Sequence, residues 1–229
     1  GGFDLQVGNP PWVVPSWDEA ASLAEHDGWW AVTKLTKTPQ AVQKARKAEL
    51  LEQQVVRDAF TADLAENVAL NASISAEVIE PLLKGLGTNL YLNFITGAWR
   101  HQAEFGTIAL IHTEEHFTAP RAGLLRVGVY RRLRRHWQFV NAKKLFEDVQ
   151  DQTGFSINVY GRTKAPSFMQ AANLIIPATL DRSLSHDGTG DPPGIQYPGG
   201  GWDIRPHRDR LPELRWVVVA RAQSDLTEG

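Results

Sequence analysis

Apolar and polar positions along this chain follow two periods that alternate, and the alternation predicts an α/β protein. Phe3-Asp4-Leu5-Gln6-Val7 alternates with period two and reads as a strand, ended by Gly8 and the pair Pro10-Pro11. Residues 17–25 read as a short helical or irregular piece that Gly28-Trp29-Trp30 breaks. Thr38-Pro39 then offers a cap and a first-turn proline for a long polar helix over residues 40–70. Its expected apolar stripe is Val42, Ala45, Ala48, Leu51, Val55, Ala59 and Leu64. Ser75 is expected to cap another short helix, punctuated by Pro81 and Gly85.

Thr88-Asn89 opens a predicted helix to residue 104, with Leu90, Phe94, Ala98 and Trp99 facing a core. Phe105-Gly106 ends it, and Thr107-Ile108-Ala109-Leu110-Ile111-His112 reads as a buried strand. A helix over 121–135 follows, then a strand at Gln138-Phe139-Val140, a loop at Lys144-Leu145-Phe146-Glu147 and a β-branched strand at Phe155-Ser156-Ile157-Asn158-Val159-Tyr160. Strands taking turns with helices imply a mostly parallel sheet. From Pro166 the character changes. Residues 181–212 are rich in Gly, Pro, Asp, His and Arg, which reads as a long loop or inter-domain linker, with one more strand over 216–220.

Composition narrows the function classes. A length of 229 residues suits one domain, or one domain with an appended segment, and 42% apolar with 22% charged residues is ordinary for a globular chain. No apolar run reaches membrane-spanning length, so no membrane association is expected. The absence of cysteine excludes disulfides and thiolate metal sites and fits a cytoplasmic setting. A net charge of −2 is not that of a dedicated nucleic-acid clamp, so any DNA affinity has to come from local basic patches or from parts outside this chain. Because the chain opens without Met and enters a strand within two residues, it is expected to be a piece of a longer protein.

Chemistry concentrates at Asn9-Pro10-Pro11-Trp12. Two prolines fix φ and force the preceding residue into extended geometry, holding the Asn9 amide and the Pro10 carbonyl at the strand's C-terminal edge. Ligands bind at that edge in open α/β sheets. An amide oxygen and a carbonyl converging there accept two hydrogen bonds from one amino group, and an adjacent indole stacks on a planar base.

This block resembles motif IV of amino-group methyltransferases, and the resemblance is wider than one tetrapeptide. Residues 3–12, Asn89-Leu90-Tyr91 leading to Phe94, residues 106–114 with Phe117 and Arg126, and Phe139-Val140-Asn141 through Phe146 to residues 155–161 occur in the expected order. Together they resemble the C-terminal half of the catalytic domain of adenine-specific (amino-N6) DNA methyltransferases, of the large restriction-modification, BREX-like or DISARM-like phage-defence type.

The resemblance implies a partial Rossmann-like class I methyltransferase sheet over residues 1–165, with a helical insertion over 38–86. An irregular extension over 166–229 would be a linker or the start of a DNA-recognition or accessory region. It implies methylation of the amino group of a flipped adenine, with S-adenosylmethionine as methyl donor and double-stranded DNA as partner. It assigns Asn9, Pro10, Pro11 and Trp12 to catalysis, and Trp12 and Phe146 to stacking on the base. The Gly-rich loop and the ribose-binding acid of the family are missing, and Gly85-Leu86-Gly87 is no substitute because no strand leads into it. The cofactor site therefore belongs to a missing N-terminal half, which is the second expected partner.

Weaker signals remain. Arg131, Arg132, Arg134 and Arg135 form a run able to meet phosphates or simply to end a helix in solvent. A basic stretch at Arg205, His207, Arg208 and Arg210 is a further DNA-facing candidate. His112-Thr113-Glu114-Glu115-His116 matches an inverted zinc-peptidase pattern, but a strand ending at His112 is expected to scatter the two imidazoles, so no metal is expected. On that reading His112 is a polar residue at the active-site rim and His116 a loop residue. Two other functions fit the same motif: methylation of a glutamine amide in protein, and a non-catalytic DNA-docking module.

Overall fold

The computed structural model describes residues 1–75, 80–87 and 89–215. In chain order the elements are β1 (Phe3–Gly8), α1 (Glu19–Ala24), α2 (Thr33–Thr36), α3 (Gln40–Leu50), α4 (Gln54–Ile74), α5 (Leu90–Arg100), β2 (Gln102–Thr113), α6 (Glu115–Thr118), α7 (Gly123–Arg132), β3 (Leu133–Val140), β4 (Gly154–Tyr160), β5 (Ser167–Leu174), α8 (Pro177–Leu184) and β6 (Glu213–Arg215). The strands form one sheet in the order β1-β2-β4-β3-β5-β6. β1 pairs β2 and β3 pairs β5 in parallel, while β4 is antiparallel to both β2 and β3, and β6 is antiparallel to β5. The expected mostly parallel sheet is therefore mixed, within a partial Rossmann-like α/β fold. β1, β2, β3 and β5 all point one way, so their C-terminal ends share one edge.

Register separates the two faces of the sheet. Leu110 opposite Asn158 opposite His136, and His112 opposite Ser156, lie on one face. There α5 and α7 bury Tyr91, Ile95, Leu125 and Val129 against Ile108, Leu110 and Tyr160. On the other face, Trp137, Phe139, Phe155, Ala171 and Leu174 pack with Leu180 of α8. That cover stops short of β1. Leu5 and Val7 pair with Thr107 and Ala109 on this second face and are 64% and 73% exposed.

The insertion after Trp12 builds its own small core from Leu23, Trp30, Leu50, Val56 and Phe60. Asp18 caps α1 by accepting from the N–H groups of Ala20 and Ala21, and Asp27 ties a 3-10 turn to α3 through Arg46 at 2.7 Å. The single long helix expected here is two, broken at residues 51–53. The break folds α4 back on α1, so Leu50, Val56 and Phe60 are buried while Val42 and Val55 of the expected stripe are exposed. Ser75 closes the C-terminal end of α4, and residues 76–79, where the next short helix is expected, lie outside the described residues.

Other boundaries move for identifiable reasons. α5 buries Trp99 as expected, with Tyr91, Leu92 and Ile95; Ala98 packs half-buried against the same core, whereas Leu90 is only half-buried and Phe94 is exposed. Thr88, expected to open that helix, lies outside the described residues. β2 begins at Gln102, inside the predicted helix, and β3 begins at Leu133, inside the predicted arginine-rich helix. Pairing of the buried Leu133 with the buried Tyr160 overrides the helix propensity of the arginines. The boundary expected after residue 165 falls between β4 and β5 of one sheet. Beyond α8, residues 185–212 are irregular but ordered around Asp203, and the strand expected over 216–220 lies outside the described residues. Among the described residues no helix is long and apolar enough to cross a membrane.

An apolar edge strand of this kind recruits other chains. The Leu5→Lys, Val7→Lys double variant should stay monomeric by light scattering at concentrations where the natural chain associates. Its thermal unfolding should shift little, since neither side chain is buried. Equal association in both proteins would show that the β1 face is not the sticky surface.

Candidate functional site

β1 delivers Asn9 and Pro10 to the shared C-terminal edge, beside a cleft of about 600 Å³. One wall is Gln6, Gly8, Asn9 and Pro10; the other is Leu90, Asn93, Phe94 and Ala98 of α5, so Leu90 and Phe94, expected in a core, line this cleft. The Asn9 amide is exposed and makes no hydrogen bond to the described residues, whereas Pro10 is buried and Pro11 exposed. Val13 accepts the N–H of Leu90 at 2.9 Å, which ties the chain after the prolines to the start of α5.

Trp12 and Phe146, 134 positions apart in sequence, meet at this edge with ring centroids 5.1 Å apart and planes at 61°. Trp12 donates its indole N–H to the Ile111 carbonyl at 3.2 Å and lies 6.1 Å from Phe155 in a stacked arrangement. A base between two rings needs two van der Waals spacings of about 3.5–4 Å each. At 5.1 Å the rings fill each other's contact shell, so admitting a base requires the Phe146 side chain to swing aside by about 2–3 Å while its main chain stays in place.

A polar layer lies in the face under α5 and α7. His112 Nδ1 sits 3.0 Å from the Thr113 carbonyl and so carries the proton; its Nε2 then accepts from the Tyr160 hydroxyl at 2.9 Å and the Asn158 amide at 3.0 Å. Asn158 also donates to the Ser156 hydroxyl at 2.6 Å. His136 pairs with Glu114 at 3.2 Å. Burial holds His112 down to about 4 and His116 well below the usual imidazole range, and pushes Tyr91 up to about 12.

The histidine expectation needs correction. α6 starts directly after β2 and folds His116 back, so the two imidazoles are not scattered but sit 5.0 Å apart, both fully buried and neither at a rim nor in a loop. The Nε2 lone pair of His112 is already used, and His116 Nδ1 faces the Tyr91 hydroxyl at 3.4 Å. Among the described residues no group of three or more His, Asp or Glu is placed to hold a metal ion.

The arginine run lies at the opposite edge of the sheet. Seven residue steps of β3 separate Leu133 from Val140, roughly 23 Å at about 3.3 Å per residue. Arg132 stacks over Trp99 at 4.6 Å, and Arg134 donates to the carbonyls of Arg132, Leu133 and Arg162. Arg131 and Arg135 are exposed. In the basic stretch, Arg205 grips the buried Asp203 at 2.6 Å and Arg210 donates to the Asp203 carbonyl, so both serve the loop's own structure. His207 is buried and Arg208 exposed.

S-adenosylmethionine presents an ammonium group and a ribose diol, which call for carboxylates. Among the described residues no acidic one lines the cleft, and its side-chain amides at Gln6 and Asn93 already donate to the carbonyls of Ala98 and Ile74. The described residues do not fit the cofactor by themselves.

No protein-family model matches the chain, and no curated protein matches it. Over 39% of its length it is similar to a modification subunit assigned to a type I restriction enzyme of Vibrio vulnificus YJ016, with 7% identity, a TM-score of 0.33 and 20% of that chain covered. Over 41% it is similar to a chain of a type I restriction-modification system, with 11% identity, a TM-score of 0.32 and 20% covered. Over 70% it is similar to the type IIG restriction endonuclease BpuSI, with 16% identity, a TM-score of 0.36 and 18% covered. The chain spans about a fifth of the length of each, and at these scores the likeness carries no functional weight.

The buried imidazoles set a pH dependence. An unfolded His takes a proton near pH 6.5, whereas folded His112 resists until about 4. Stability is then full above pH 6.5 and falls as the pH drops from 6.5 toward 4. From pH 7 to 5 the loss in urea unfolding should be on the order of 2 kcal/mol from His112 alone, with His116 adding in the same direction. A flat profile across that range would mean that these rings charge freely.

Proposed function

We propose that this chain is the target-base half of an S-adenosylmethionine-dependent methyltransferase acting on the amino group of adenine in DNA, in a restriction-modification or phage-defence setting. The observation that supports it most is the meeting of Asn9-Pro10, Trp12 and Phe146 at one sheet edge, from segments far apart in sequence. The cofactor supplies the methyl group when bound, and the groups that hold it belong to a complementary N-terminal half of the same protein. The uncovered β1 edge and the open cleft are the surfaces that such a half would cover.

The adenine amine is a poor nucleophile because its lone pair is delocalised into the ring. The Asn9 amide oxygen and the Pro10 carbonyl accept hydrogen bonds from its two N–H groups and favour a tetrahedral nitrogen; the methylated nitrogen, now cationic and strongly acidic, loses one proton to solvent, so no strong general base is required. The base has to leave the duplex, at a cost of a few kcal/mol. Stacking worth about 1–3 kcal/mol per base offsets much of that. Trp12 offers an anchored ring for this purpose and Phe146 a movable one. Arg131 and Arg135, exposed at the far edge, remain available to phosphates if the duplex extends along the sheet.

The test is methyl transfer with radiolabelled donor, using this chain joined to the sequence encoded upstream of it. Label should enter DNA as N6-methyladenine, and Asn9→Ala should lower kcat about 10²–10³-fold, as expected for loss of one preorganised acceptor. Label in protein glutamine instead, or activity indifferent to Asn9, would refute the proposal.

A further inference from the structure

The loop that carries Phe146 has no regular structure, yet its main chain is tightly held. Asn141, at the end of β3, is fully buried. Its Oδ1 accepts the Phe146 N–H at 3.0 Å, and its Nδ2 donates to the carbonyls of Phe146 and Val149, each at 2.9 Å. The backbone of Asn141 completes the arrangement: its N–H donates to the Thr153 carbonyl at 3.1 Å, and its carbonyl accepts the Lys144 N–H at 2.9 Å. Lys144 adopts φ 51°, the left-handed turn that brings the chain back toward Asn141.

We infer that Asn141 is the positioning residue that sets the Phe146 ring against Trp12 for stacking on the target base. The inference rests on the reading of this edge as a base-capture site. All three side-chain bonds go to loop backbone, so the amide fixes residue 146 whatever side chains surround it. Phe146 has both its N–H and its carbonyl engaged by one side chain, which leaves the ring to land 5.1 Å from Trp12 and 4.9 Å from Phe155. Few side chains do this. Asp lacks the two donors, Gln is one methylene too long, and Ala leaves the Phe146 N–H and the Val149 carbonyl without the side chain that holds them and the Phe146 carbonyl with only the Val149 N–H at 3.3 Å.

Two readouts on the full chain test it. In the first, 4-fluorophenylalanine replaces Phe146 and its ¹⁹F shift reports packing against Trp12. In the second, the probe is a duplex carrying 2-aminopurine opposite an abasic site, whose fluorescence reports base capture. Asn141→Ala should move the ¹⁹F signal to that of an unpacked ring and weaken capture about tenfold, as Phe146→Ala does. The double variant should be no worse than Phe146→Ala alone, which a general loss of stability would not reproduce. Asn141→Asp, lacking the donors, should not restore capture. An unmoved ¹⁹F signal, or losses that multiply in the double variant, would overturn the inference. If the natural chain captures no base, the base-capture reading fails and the ¹⁹F shift alone decides whether Asn141 sets the ring.

Discussion

Trp12 is wedged between the two hydrophobic clusters on either side of the sheet and packs against both. Its indole N–H is held by the Ile111 carbonyl of the neighbouring strand. This contact pins the chain immediately after the two prolines, so Asn9 is presented at the edge by a segment with few degrees of freedom. The stacking residue is thus also a structural one. A change to Ala removes a core contact as well as a stacking surface, whereas Phe retains packing and loses only the N–H bond.

The polar layer beneath this edge is the second constraint. His112, Asn158, Ser156 and Tyr160 are linked by hydrogen bonds through the neutral Nδ1–H tautomer of His112, with the Asn158 Oδ1 alone left buried without a partner among these four side chains' described contacts. Such a network rigidifies only when its members are paired. Farther along the chain, Asp203 does the equivalent work for residues 185–212, with the Arg205 guanidinium holding its carboxyl well below the usual carboxylate range. Asp203 also accepts the backbone N–H groups of Gly194 and Arg205.

Much of the sheet was legible because its strands are β-branched, aromatic and flanked by turn residues, as in residues 154–160. The pairing of Trp12 with Phe146 was legible only through a family resemblance, since no local pattern links positions so far apart. What stayed hidden depends on tertiary contact. No Gly or Pro marks the break between α3 and α4, and α5 carries two equivalent apolar rows, one for the core and one for the cleft. The arginine run looked helical until pairing with β4 drew its second half into a strand. The closeness of His112 and His116 follows from α6 turning back at residue 115, and the clamp at Asn141 from a loop whose sequence gives no periodic signal.

The central claim is that an extruded base is received at the edge formed by Asn9, Trp12 and Phe146. The most direct measurement is photocrosslinking with a duplex bearing 8-azidoadenine opposite an abasic site, with the crosslinked peptides mapped by mass spectrometry. The account predicts attachment within residues 9–12 and 141–149. Attachment concentrated at residues 131–135, on the opposite edge of the sheet, would contradict it.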